Sequence, residues 1–298
     1  MDIVTRKNVK KNPYKLSLSP WAIARRKFLK NKLAMISTSF LLLVVITSFA
    51  APYVTTIDIS KVNIGQMSLT PSQEHWLGTD KSGRDVFTRL LYGGRVSLLV
   101  GMSCTFFIVL IGTVIGSIAG YFGGIIDDLL MRFTDFILNF PFLVFVLVLN
   151  MILFGKVSGV WVLIFVISIL SWGGVARIVR SKILAEKENE YILASISIGC
   201  SPYKIIVKHL LPNVVSTIIV QASLLFAGMI VVEAGLSYLG FGVPQEVPSW
   251  GNMLSSAKEP DVLQYKPWIW IPPATIITMT ILSINFIGEG LKDAFNPK

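Results

Sequence analysis

Ionisable side chains within or beside long apolar stretches are the residues best placed to do chemistry here, because charge in a lipid-facing segment is costly and marks function by default. Arg132, Asp135, Glu233 and Glu289 answer that description. Glu233 interrupts an apolar stretch from Val214 to Gly242 and is followed by Gly235, Gly240 and Gly242, a composition that ends or breaks a helix near the carboxylate. Two readings stand side by side, a carboxylate lining a water-filled path and a buried residue capping a broken helix. Asp135 is the other candidate for a path, although Arg132 lies three residues before it, a spacing at which the two pair on one helix face. Cys104 and Cys200 suggest neither a disulfide framework nor a thiolate metal site, and His75 and His209 fall outside the apolar windows, so no metal centre is expected. No His-Glu-x-x-His or Gly-x-Ser-x-Gly motif is present, which argues against a membrane-embedded hydrolase, and no G-x-x-x-x-G-K-[ST] loop is present to hold ATP.

A second kind of chemistry is docking. In NEYILASISIGCSPYKIIVKHLLPN, Glu190 to Ile198 reads as a short helix stopped by Gly199. Ser201 and Pro202 then offer a cap and first position for a second helix running to Leu211, before Pro212. The result is a helix-turn-helix knob whose apolar residues, including Ile205, Ile206 and Leu210, can enter a groove on a partner. Gly112, Gly116 and Gly120 recur every fourth residue, which places them on one helix face as a packing seam against another backbone.

The elements that position these residues follow from hydropathy. Of 298 residues 53% are hydrophobic and 15% charged, and the mean hydropathy of +0.67 is too apolar for an ordinary soluble domain. Charge-poor windows at Leu33–Val54, Val96–Tyr121, Phe136–Phe154, Val157–Ala176, Val214–Val232 and Trp268–Ile287 each approach the roughly 20 residues a spanning helix needs. The net charge of +10 does not point to nucleic acid, since ten of the lysines and arginines lie between Arg6 and Lys32. A basic arm before a first span reads as cytoplasmic, and the same orientation places Arg177, Arg180, Lys182, Lys187, Lys204 and Lys208 inside. The segment between Thr55 and Arg95 is then outside despite its five basic residues, against the trend. Ser19 and Pro20 start a helix with interleaved aromatic, aliphatic and basic residues, which reads as an interfacial helix or as a solvated basic arm.

The hairpin resembles the cytoplasmic loop of ABC importer permeases, in which Glu-Ala-Ala, three residues, Gly, nine residues, then Ile-x-Leu-Pro form the pattern. Leu193, Ala194 and Ser195 stand at its first three places, Gly199 at the glycine, and His209, Leu210, Leu211 and Pro212 at its end, with Leu193, Ser195 and His209 as departures. HWLGTDKSGRDVFTRLLYGGRVSL from His75, RFTDFILNFP from Arg132, ARIVRSKIL from Ala176, EAGLSYLGFGVP from Glu233, PSWGNML from Pro248 and NFIGEGLKDAFNPK from Asn285 resemble the dipeptide and oligopeptide branch, which also includes nickel importers.

The resemblance implies an all-α integral membrane protein with about six spans and the type-1 importer permease fold, multi-pass in a bacterial cytoplasmic membrane with both termini cytoplasmic. It divides into a cytoplasmic arm (1–32), a first span (33–54), an extracytoplasmic segment (55–95), a five-span transmembrane domain (96–291, coupling hairpin about 188–212) and a tail (292–298). Ala194, Ser195, Gly199, Ser201, Pro202, His209, Leu211 and Pro212 are the implied ATPase-coupling residues. The implied partners are a second homologous permease, two ABC ATPase subunits that bind ATP and magnesium, an extracytoplasmic binding protein and membrane lipid. This chain needs no cofactor of its own. A nickel importer is the alternative within the family, and an ion-driven secondary transporter the alternative outside it.

Overall fold

The computed structural model describes residues 20–59, 62–153 and 159–295. Ser19 as a cap, the arm before it, the window ends at Phe154 and Val157, and the last three residues of the tail lie outside the described residues. Among the described residues the secondary structure is helical, with an isolated bridge between Thr79 and Asp85. The helices are α1 (Pro20–Lys30), α2 (Lys32–Phe49), α3 (Ala51–Val54), α4 (Val86–Phe122), α5 (Gly124–Leu138), α6 (Phe142–Leu153), α7 (Gly159–Ser171) and α8 (Gly173–Lys187). They continue as α9 (Glu190–Ser197), α10 (Pro202–Ile205), α11 (Leu211–Leu239), α12 (Trp250–Leu254), α13 (Pro260–Tyr265) and α14 (Pro267–Phe295). Among the described residues four helical stretches, α2, α4, Pro202–Leu239 and α14, are long and apolar enough to cross a membrane alone, and two bent pairs, α5 with α6 and α7 with α8, raise the number to six.

Both bends correct the straight spans expected from the windows. Between Leu138 and Phe142 the chain turns by 81°, because Pro141 has no N–H to give the helix and restrains the residue before it. The Phe136–Phe154 window therefore straddles a corner. The pair α7 and α8 bends by 43° at Trp172.

A break also precedes the first span. Asn31 separates α1 from α2, and its side-chain oxygen accepts the Ala34 N–H at 3.1 Å as an N-cap. Ala24 is buried and Phe28 half-buried against the bundle, and the Trp21 ring meets Phe295 of α14 edge-on at 5.2 Å.

A boundary also shifts at α4, which begins at Val86 rather than Val96. Asp85 caps it by accepting the Thr88 N–H at 2.7 Å. The basic residues that sat badly outside are largely compensated. Arg84 Nε lies 2.8 Å and Arg89 Nε 3.7 Å from the Asp80 carboxylate, Lys81 pairs with Glu259, and the Arg95 guanidinium sits 5.6 Å over the Phe49 ring. His75 is buried and its Nδ1 lies 2.9 Å from Asp85 Oδ1.

The seam glycines behave as their spacing predicts. A Cβ at Gly112 would lie 2.6 Å from Val175 Cβ, at Gly116 2.4 Å from the Ala176 carbonyl oxygen, and at Gly120 2.9 Å from the Arg180 carbonyl oxygen. All three contacts belong to α8, so α4 and α8 touch backbone to backbone, the arrangement small residues permit where lipid supplies no hydrophobic drive.

Candidate functional site

The knob forms from α9 and α10, and its turn is decided by local backbone chemistry. Cys200 N–H bonds to the Ser195 carbonyl at 3.1 Å and Gly199 N–H to the Ile196 carbonyl at 2.9 Å, while Gly199 adopts φ +79°. That is a Schellman ending, which satisfies carbonyls left open at the helix end and asks for glycine at the left-handed position. Ser201 is extended (φ −64°, ψ 146°) at the N-cap position, but its hydroxyl makes no capping bond.

The second helix does not stop at Leu211. It continues from Pro202 to Leu239, with a π turn over Ile206–Leu210 just before Pro212. Proline removes one N–H and crowds the carbonyl four residues back, and a widened turn is a common accommodation of such a break. The knob's second helix and the following span are thus one continuous rod.

That geometry reverses the expected docking face. Ile205 and Leu210 are completely buried and Ile206 is half-buried against the core, so they hold the knob to its own bundle. The outward apolar residues are instead Ile198 at 79% exposure, Tyr203 at 76% and Leu193 at 50%. Ala194, Gly199, Ser201, Pro202 and Pro212 are exposed beside them, whereas Ser195, His209 and Leu211 are half-buried. Ser195 Oγ donates to the Tyr191 carbonyl at 2.8 Å, and the His209 carbonyl accepts from Asn213 Nδ2 at 3.0 Å, so both serve the knob's own framework.

Polar links brace the base of the knob. Tyr191 OH donates to Glu186 at 3.1 Å and accepts from Asn213 Nδ2 at 2.5 Å, which joins the end of α8, α9 and the start of α11. Partial burial, reinforced by the Glu186 carboxylate, pushes the Tyr191 phenol above its usual range, so it remains a donor at neutral pH. Lys187 Nζ donates to the Tyr121 carbonyl at 2.6 Å, and Arg180 grips Asp127 through two bonds of 2.5 Å. Arg177 pairs with Asp135, so Asp135 does not pair with Arg132. Asp135 remains half exposed beside the corner at Asn139–Pro141.

Glu233 stands elsewhere, buried within an unbroken stretch of helix. α11 runs six residues past it to Leu239 and ends at Gly240 (φ 94°), so the helix does not break at the carboxylate. Glu233 is 0% exposed and lines no open path in this structure. Its oxygens accept from Ser97 at 2.9 Å and Ser237 at 2.8 Å, and no ion pair reaches it among the described residues.

Through Ser97 the carboxyl holds α12, because Ser97 Oγ also accepts the Trp250 N–H at 3.1 Å and Trp250 Nε1 donates to the Leu90 carbonyl at 3.0 Å. Asn252 completes the knot by donating to the Val243, Pro244 and Val247 carbonyls at 2.9, 2.9 and 3.0 Å. Sequence reasoning missed Ser97, Trp250 and Asn252. A signal was present in Ser249, which caps α12 by accepting the Asn252 N–H at 3.1 Å and could have been read as a helix start.

Glu233→Leu is expected to cost about 1–3 kcal/mol for each serine hydroxyl left without its acceptor. Glu233→Gln keeps one amide oxygen and a similar shape. The expected order of melting temperature in detergent is wild type, then Gln slightly below, then Leu several degrees lower; equal melting for all three would remove the carboxyl from the framework.

Among the described residues the structure is thus a bundle of four to six candidate membrane-crossing helices, with a glycine seam between α4 and α8 and a braced knob between α8 and α11. Residues 112–298 match the model of the binding-protein-dependent transport system inner membrane component family, and residues 19–71 match that of the N-terminal TM domain of oligopeptide transport permease C. The chain is 40% identical over 282 residues to the oligopeptide transport system permease protein OppC of Haemophilus influenzae, covering 94% of this chain and 89% of that protein. It is 38% identical over 284 residues to OppC of Bacillus subtilis, covering 95% and 92%. It is 39% identical over 282 residues to the dipeptide transport system permease protein DppC of the same organism, covering 95% and 87%. The chain belongs to the binding-protein-dependent transport system inner membrane component family. It is an integral membrane ABC importer permease subunit and not an enzyme, with ATP hydrolysis carried by separate subunits.

Proposed function

We propose that this chain forms half of a translocation path for dipeptides or oligopeptides across a bacterial cytoplasmic membrane. The observation that carries the reading is end-to-end similarity to permeases named for oligopeptide and dipeptide transport, against which the nickel alternative has no comparable support. A second, homologous permease supplies the other half, two ABC ATPase subunits bind ATP and magnesium, and an extracytoplasmic binding protein delivers the peptide. This chain carries no cofactor of its own, sits among membrane lipid and has no nucleic acid partner. Both termini and the hairpin of residues 188–212 lie in the cytoplasm, where Leu193, Ala194, Ile198, Gly199 and Tyr203 present the surface that an ATPase groove receives. Closing of the two ATPases around ATP moves the docked hairpins, and the continuous rod from Pro202 to Leu239 passes that motion into the spans. Asp135, half exposed at the end of α5, is the candidate charge on the path.

Purification of the assembled complex, followed by uptake of a radiolabelled dipeptide and a pentapeptide into vesicles, tests this directly. The expected result is ATP-dependent uptake competed by unlabelled peptides and not by nickel. Uptake of nickel with no peptide uptake would transfer the chain to the metal branch.

A further inference from the structure

We infer that α1 and the start of α2 form a binding surface for anionic phospholipid headgroups. Arg25, Arg26 and Lys30 of α1 and Lys32 of α2 are exposed and make no ion pair among the described residues. Their position is set by the bundle. Ala24 and Phe28 turn inward, so the opposite side of α1 carries Arg26 and Lys30, flanked by Ile23 and Leu29 at 44% and 51% exposure. Apolar side chains beside basic ones fit the headgroup boundary, where the hydrocarbon enters lipid and the long cationic stems reach phosphate.

The element packed against this surface does not neutralise it. The facing end of α14 brings Glu289, Lys292 and Asp293, so among the described residues the neighbourhood holds, Lys27 aside, five positive groups (Arg25, Arg26, Lys30, Lys32, Lys292) against two negative ones. α2 leaves Asn31 directly as a membrane-crossing helix, which fixes α1 at the membrane boundary and gives its charges a lipid partner within reach. Charge complementarity then selects anionic over zwitterionic lipid, with each basic residue near the surface multiplying the preference about fivefold at most.

Native mass spectrometry of the full-length chain with equimolar phosphatidylglycerol and phosphatidylcholine tests the surface. Wild type is expected to retain phosphatidylglycerol in at least about fivefold excess. Arg26→Gln with Lys30→Gln is expected to lose most of that excess, while Lys182→Gln, which removes an exposed charge on α8, keeps it. Equal retention of the two lipids by wild type, which needs no variant, overturns the inference. So does a preference that survives the double substitution or falls equally with Lys182→Gln. Displacement of the lipid by millimolar inorganic phosphate would show that a phosphate ion suffices and would overturn the assignment to lipid.

Discussion

Gly199→Asp is expected to reduce peptide uptake at least about tenfold while the chain remains inserted and monodisperse, and Gly199→Asn to leave most of the uptake in place. The argument rests on two separable properties of the turn. Gly199 has φ +79° but no heavy atom within 4 Å of a Cβ built there, so a side chain meets strain and no clash. The left-handed region costs most residues about 1–2 kcal/mol, whereas asparagine and aspartate visit it with local hydrogen bonding. Asparagine and aspartate thus share shape and backbone tolerance and differ in charge. The tip around them is apolar and exposed, with Ile198 and Tyr203 on either side. A buried, unpaired carboxylate at a docked interface is strongly unfavourable, and a tenfold loss corresponds to only about 1.4 kcal/mol. Uptake should be measured in vesicles alongside ATPase copurification. Full uptake with Gly199→Asp would mean that the tip does not enter a partner, and equal loss with both substitutions would make the turn a backbone requirement alone.

Gly116→Leu carries the largest expected effect on folding. A Cβ at that position would lie 2.4 Å from the Ala176 carbonyl oxygen and 3.0 Å from the Arg180 backbone nitrogen. Backbone atoms cannot rotate aside as a side-chain tip can, so α4 and α8 must separate. Overpacking of a close interface costs about 1–3 kcal/mol per site, and separating two helices forfeits contacts along the whole seam. The consequence extends beyond stability, because α8 carries the knob and is fastened to the same end of the bundle by Lys187 and Arg180. Size-exclusion profiles in mild detergent should show little folded protein for Gly116→Leu. Gly174→Ala is the control, since no heavy atom lies within 4 Å of its added Cβ, and it should elute as wild type. Normal folding of Gly116→Leu would show that the seam is looser than the backbone contacts indicate.

Several features of the molecule are legible from residue order alone. The spans follow from runs of apolar residues because lipid demands internally satisfied helices, and α2, α11 and α14 appear close to their windows. The every-fourth spacing of Gly112, Gly116 and Gly120 predicts a face, since helical periodicity leaves no other arrangement. The turn at Gly199 is likewise local, written in a glycine with Ser-Pro beginning two residues later. Pro141 and Pro212 show where local reading becomes incomplete. Each announces a disturbance, yet the first makes an 81° corner and the second only a π turn within one continuous rod. A proline removes the same N–H in both places, and what the chain does next depends on what surrounds it.

The sequence by itself determined the class of protein, its membrane-crossing segments, the glycine seam and the position of the knob, because each depends on hydropathy or on geometry within a few residues. Tertiary structure alone decided which face of each element is used. Ile205 and Leu210 looked available for a partner and are buried, Asp135 turned from Arg132 to Arg177, and Glu233 joined Ser97, which lies 136 residues away. Those outcomes require knowing which helices meet. An apolar or ionisable side chain gains the same energy from a core neighbour as from a partner of matching chemistry, and only the packed bundle distinguishes them.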